Sequence, residues 1–200
     1  LNTKNGDDVM ALQKEPNVLV LPGYLDSGPG HWQTRWEAAH TSFSRVRMPD
    51  WGQPVRDDWC RTLDAAVTAA ASDGAPVVFA AHSLGCLTVA WWASRYAAPA
   101  QRDKVAGALL VAVPDPAGRA FPASASGFAP VPDERLPFPT IVVASTDDPY
   151  GGVPFSHACA AAWGSRWISI GARGHINADS GLGDWQDGVS WLKSFVSVAS

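Results

Sequence analysis

Apolar residues fall along this chain in short, dense runs separated by longer stretches in which they are spaced. NVLVL (17–21), FSRVRM (43–48), PVVFAA (76–81), VAGALLVAV (105–113), TIVVAS (140–145) and RWISI (166–170) read as buried strands. Between them HWQTRWEAAH (31–40), DDWCRTLDAAVTAAASDG (57–74), LGCLTVAWWASRYA (84–97), FSHACAAAWG (155–164) and DWQDGVSWLKSFVSVA (184–199) have the length and spacing of helices. Strands alternating with helices predict an α/β fold with a parallel sheet covered on both faces, which is why the strand runs are nearly continuous rather than alternating. One connection departs from this rhythm. Residues 114–139, PDPAGRAFPASASGFAPVPDERLPFP, have no clear period. An excursion of that length in a compact domain is expected to be a lid or binding loop, or else mobile. There is no internal repeat. Residues 1–16 read as an N-terminal tail and 17–200 as a single domain.

Composition narrows the partner. Two hundred residues, 46% of them hydrophobic, suffice for one real core. The net charge is −4 and the 15 lysines and arginines are scattered, so the footprint of a nucleic-acid or anionic-membrane binder is missing and a small molecule is the expected partner. Cys60, Cys86 and Cys159 are odd in number and lack CxxC spacing, which argues against a disulfide framework or a zinc site and for a reducing compartment. The opening residues have no basic start followed by an apolar core, as a secretory signal would, and the expected location is the cytoplasm. No membrane span is expected either, because the most apolar stretch, VVFAAHSLGCLTVAWWAS (77–94), is interrupted by His82, Ser83 and Gly85.

That interruption carries chemistry. A nucleophilic serine on a sharp strand-to-helix turn needs small residues two before and two after it, the pattern G-x-S-x-G. Ala81-His82-Ser83-Leu84-Gly85 fits with alanine in the first small position, and so does Ala70-Ala71-Ser72-Asp73-Gly74. Context separates the two. Ser72 ends a helical pattern, with Gly74 as its C-cap, whereas Ser83 follows a strand and precedes a helix. For the base, His175 stands in the glycine-rich stretch GARGHINADSGLGDW after the last strand, from which a side chain can reach back over the sheet edge. His82 points away from its neighbour Ser83, and His31, His40 and His157 fall in or at the ends of helices, where surface or capping roles are commoner. For the acid, Asp147 and Asp148 both follow the fifth strand. Asp148 precedes Pro149, which favours an extended backbone, and is preferred, with Asp115 a third candidate. The oxyanion hole is expected at the backbone N–H of Leu84 and of Tyr24 or Leu25 in the loop LPGYLDSGPGHW. Trp32, Trp51 and Asp115 are candidate substrate contacts, while Trp91 and Trp92 are read as core.

Together LPGYLDSGPGHWQTRWE, AHSLGC, ASTDDPY and GHINADSGLGDW, in that order over nearly the whole chain, resemble the small serine hydrolases related to retinoblastoma-binding protein 9 and the bacterial YdeN proteins. The resemblance implies an α/β-hydrolase fold with a six-stranded, mainly parallel sheet in the order 2-1-3-4-5-6 and no large cap domain. It also implies Ser83 as nucleophile, Asp148 as acid and His175 as base. A retinoblastoma-type partner bound through L-x-C-x-E is set aside, since Leu84-Gly85-Cys86-Leu87-Thr88 ends without an acid. The expected activity is hydrolysis of a small carboxylic ester, thioester or amide without metal or organic cofactor. The alternatives are a binding protein with an idle triad and an acyltransferase.

Overall fold

The structure, a computed structural model, describes residues 14–197. Most of the expected tail and residues 198–199 of the helix expected over 184–199 fall outside that range, and within it that helix runs only from Gln186 to Lys193. The elements run β1 (Asn17–Leu21), α1 (Trp32–Ala39), β2 (Phe43–Arg45), α2 (Arg56–Ala70), β3 (Val77–His82), α3 (Leu84–Trp91), a π-helical turn Trp92–Tyr96, α4 (Pro99–Arg102), β4 (Val105–Val111), β5 (Thr140–Ala144), α5 (Val153–Trp163), β6 (Arg166–Ser169), a 3₁₀ turn Ala178–Ser180 and α6 (Gln186–Lys193). All five strand pairings are parallel, in the order β2-β1-β3-β4-β5-β6. The fold is that of the α/β-hydrolases, without a large cap.

Successive residues of a strand face opposite sides of a sheet, and here both sides are apolar cores. Leu19, Leu21, Phe79, Ala81, Leu110 and Val142 pack against α2, α3 and α5. Val18, Val20, Val78, Ala80, Leu109 and Val143 pack against α1 and α6. The strands therefore cannot slip by one residue without exchanging two filled cores. The edge strand β2 is shorter than the 43–48 run, because it pairs only with β1, although Val46 N–H still donates to Val20 O at 2.9 Å. β4 stops at Val111, where Ala112 turns into left-handed backbone at φ 56°. Helix α3 continues into the π-helical turn, so the single helix expected over 84–97 is present with a widened second half.

The excursion 114–139 has no regular element but is pinned along its length. Phe128, Leu136 and Phe138 are buried, Trp91 Nε1 donates to Phe128 O at 3.0 Å, Trp163 Nε1 donates to Pro132 O at 2.8 Å, and Ser126 bridges to Val55. No helix among the described residues is long and apolar enough to cross a membrane.

Candidate active site

β3 ends at His82 and α3 begins at Leu84, leaving Ser83 alone to turn the chain. It does so at φ 53°, ψ −123°, a conformation that costs a non-glycine residue on the order of 1–3 kcal/mol. Two glycines make the turn sterically feasible. A Cβ on Gly85 would lie 2.4 Å from Leu21 O, and one on Gly23 would lie 2.7 Å from Ser83 Cβ and 3.2 Å from Leu84 N. The first loop thus passes directly over the serine. Ser72, by contrast, lies in an exposed turn after the C-cap Ala71, with Gly74 three residues beyond that cap.

Three loops at the carboxyl ends of the strands converge, as expected for a ligand site in a parallel sheet. His175, after β6, places Nε2 2.8 Å from Ser83 Oγ. Its Nδ1 lies 2.9 and 3.0 Å from the two carboxylate oxygens of Asp148, after β5. With Nδ1–H donating to that carboxylate, Nε2 accepts from the serine hydroxyl. The Asp148 side chain is 1% exposed and also accepts Tyr150 N–H at 2.9 Å, and the Tyr150 ring packs on His175 with centroids 4.4 Å apart. Asp147 faces elsewhere. Its Oδ1 accepts Ser145 Oγ–H and Gly174 N–H, both at 2.7 Å, and the Ser145 hydrogen bond first among these holds the carboxyl below its ordinary range. The Asp115 carboxylate is not hydrogen-bonded to the histidine and instead accepts Ala117 N–H in its own turn.

Behind the histidine lie two more imidazoles. His82 Nε2–H donates to His175 O at 2.8 Å, and the His31 and His82 ring centroids are 4.6 Å apart. His31 caps α1, its Nδ1 accepting Gln33 N–H. Burial lowers both: His31 falls to about 4, with Arg45 and His175 adding to the effect, and His82 falls well below 6.5. Both are neutral at pH 7. Among the described residues no group of three His, Cys, Asp or Glu side chains is placed to hold a metal ion.

Of the two expected loop donors, Leu25 N–H is committed to Trp51 O at 3.0 Å, while Tyr24 N–H and Leu84 N–H have no partner among the described residues. Leu25 and Asp26 both take left-handed backbone, at φ 63° and 66°. Arg45 holds this bend. Its guanidinium donates to Asp26 Oδ1 at 2.8 Å, Ser27 O at 3.0 Å and Thr34 Oγ1 at 2.7 Å, and pairs with Glu37.

A cavity of about 220 Å³ opens beside Ser83, lined by Tyr24, Leu25, Pro114, Phe121, Pro122 and Tyr150 among others. Trp32, Trp51 and Asp115, expected as substrate contacts, do not line it. Trp32 is buried on the α1 side and donates Nε1–H to Ile176 O at 2.9 Å, supporting the histidine loop from beneath. The Trp51 ring packs edge-on against Trp59. Of the lining residues, Phe121 and Pro122 carry no motif and only the anomalous length of the excursion pointed toward them, while Tyr150 ends the ASTDDPY motif without having been singled out.

The sequence profile of a serine hydrolase family matches residues 18–194. The chain belongs to this family. Among solved structures, this serine hydrolase is similar to a protein described as a YdeN-like hydrolase from Pectobacterium atrosepticum, with 28% identity, TM-score 0.75 and 90% of each chain covered. It shares its fold with the ydeN gene product of B. subtilis, at 20% identity and TM-score 0.68 over 92% of this chain and 100% of that one. It also shares it with a thermophilic esterase from Thermogutta terrifontis, at 15% identity and TM-score 0.66 over 92% of each. No curated protein sequence shows significant similarity to the chain.

Proposed function

We propose that this serine hydrolase cleaves small carboxylic esters through an acyl-enzyme on Ser83. The observation that carries the reading is the unbroken hydrogen-bonded series from Ser83 Oγ through both ring nitrogens of His175 to the sealed carboxylate of Asp148. Ser83 attacks the carbonyl as its proton passes to His175 Nε2. Asp148 fixes the tautomer and stabilises the imidazolium. The developing oxyanion lies against the N–H groups of Leu84 and Tyr24, the two donors left free for it. His175 then protonates the leaving group, and water, activated by the same histidine, releases the acid. Backbone strain retained at Ser83 favours a working nucleophile over a binding protein with an idle triad, for which an ordinary turn would serve.

The test is labelling by a fluorophosphonate probe and turnover of short p-nitrophenyl esters, with Ser83→Ala alongside. Both activities present in the unmutated chain and absent from the variant support the reading. Neither present in the unmutated chain overturns it.

A further inference from the structure

The cavity beside Ser83 is not the whole of the site. A second, more open groove of about 590 Å³ adjoins it across Tyr150, His175 and Asn177, which line both. The groove excludes Ser83, Leu84 and Tyr24 and runs instead over the 172–180 segment on the far side of His175. This placement assigns the two spaces different halves of an ester. The leaving oxygen must lie where His175 can hand it a proton, so the alcohol extends into the groove, and the acyl group takes the small cavity on the oxyanion side.

The groove is polar and nearly balanced in charge. The Arg173 backbone is held at both ends, its N–H donating to Ser145 Oγ at 2.8 Å and its carbonyl accepting Ser180 Oγ–H at 2.6 Å. Its guanidinium has no partner among the described residues. Asn177 Oδ1 accepts Asp179 N–H at 3.0 Å, which leaves Asn177 Nδ2 and the Asp179 carboxylate open. Asp147 adds a second carboxylate, already engaged by Ser145 and Gly174. One guanidinium against two carboxylates disfavours a phosphorylated or nucleotide-bearing alcohol or thiol. An apolar alcohol would displace water from these groups and return no hydrogen bond. A group that both donates and accepts, and is uncharged, answers all three open side chains.

We propose that the groove binds a neutral, hydroxyl-rich alcohol, and that the substrate class is the short-chain acyl ester of a sugar or polyol. This rests on the hydrolase reading above. Glucose 6-acetate, cyclohexylmethyl acetate and acetyl coenzyme A present the same acyl group on a hydroxyl-rich, an apolar and a polyanionic leaving group, with p-nitrophenyl acetate as reference. The expected kcat/KM for glucose 6-acetate exceeds that for each of the other two test substrates by about tenfold or more, the scale of one hydrogen bond to a charged group. Arg173→Ala and Asp179→Ala, both at exposed positions, each lower the ratio of glucose 6-acetate to p-nitrophenyl acetate kcat/KM by about tenfold. Equal or reversed preference, or ratios unmoved in both variants, overturns the assignment of the alcohol while p-nitrophenyl acetate turnover and fluorophosphonate labelling leave the hydrolase reading standing. If those two also fail, the hydrolase reading has failed and the alcohol site falls with it.

Discussion

Asp147 and Asp148 are chain neighbours with separate tasks: one ties the histidine loop through Gly174 N–H, the other receives the imidazole. Asp148→Asn should therefore lower kcat roughly 10³–10⁴-fold, as when the orienting acid of a triad loses its charge, while Asp147→Asn costs far less. Steady-state kinetics on p-nitrophenyl acetate measures both, and the reverse ranking would refute the assignment. Chain order and loop length admit both aspartates equally. The preference for Asp148 came from the following proline, and the direction of each carboxyl is set by Ser145, Gly174 and Tyr150, which only the folded loops bring together. His31 shows a similar limit, since the sequence left it a surface or a capping role, and the structure gives it the cap together with burial against His82. That burial has a pH signature. With its folded value near 4 against an ordinary 6.5, neutral His31 contributes stability that is complete above about 6.5 and lost as pH falls toward 4, about 2–3 kcal/mol by pH 4.5. His82 acts in the same direction. The lowered carboxyls of Asp57, Asp73 and Asp147 titrate below this window. His31→Asn keeps a capping acceptor and removes the titration, so urea unfolding at pH 7 and 4.5 should show a smaller loss than in the unmutated chain; equal losses would sink the account.

At the scale of elements, the elbow was readable because strand, small residues and helix each leave a pattern. The loop proposed to supply an oxyanion donor was half readable. Its glycines signalled unusual backbone, but the choice between Tyr24 and Leu25 turned on a bond from Leu25 to Trp51, 26 residues away in the chain. The clamp on that loop left no signal. Arg45 sits in an edge strand of three residues, and its side chain, 10% exposed, ties the left-handed Asp26 and its neighbour Ser27 to helix α1. A lysine can supply the charge but not the fork of donors. Arg45→Lys should lower kcat roughly 10- to 100-fold with KM little changed, because the donors serve the transition state rather than the bound ester. A rise in KM at constant kcat would place Arg45 in substrate binding instead.

For the molecule as a whole, the parallel sheet and its two-faced core followed from the alternation of apolar runs, whereas the order of the strands came only with the family resemblance. The excursion 114–139 lay beyond that logic. Its anchors, Phe128, Leu136 and Phe138, are spaced by no period, and Phe121 and Pro122 line the cavity from the segment that those buried side chains hold against the core. Phe121→Ala should open the cavity and raise kcat/KM for p-nitrophenyl hexanoate relative to butyrate by roughly tenfold, two added methylenes at about 0.8 kcal/mol each. An unchanged chain-length profile would show that the acyl group lies elsewhere. The three cysteines complete the picture. All are buried, and burial pushes Cys60 and Cys159 to about 12 and Cys86 well above 9. The chain is thus a silent background for thiol chemistry: Ser83→Cys would present iodoacetamide with one reactive thiol, beside an imidazole, and the stoichiometry of alkylation would count intact elbows in a sample without reference to any substrate.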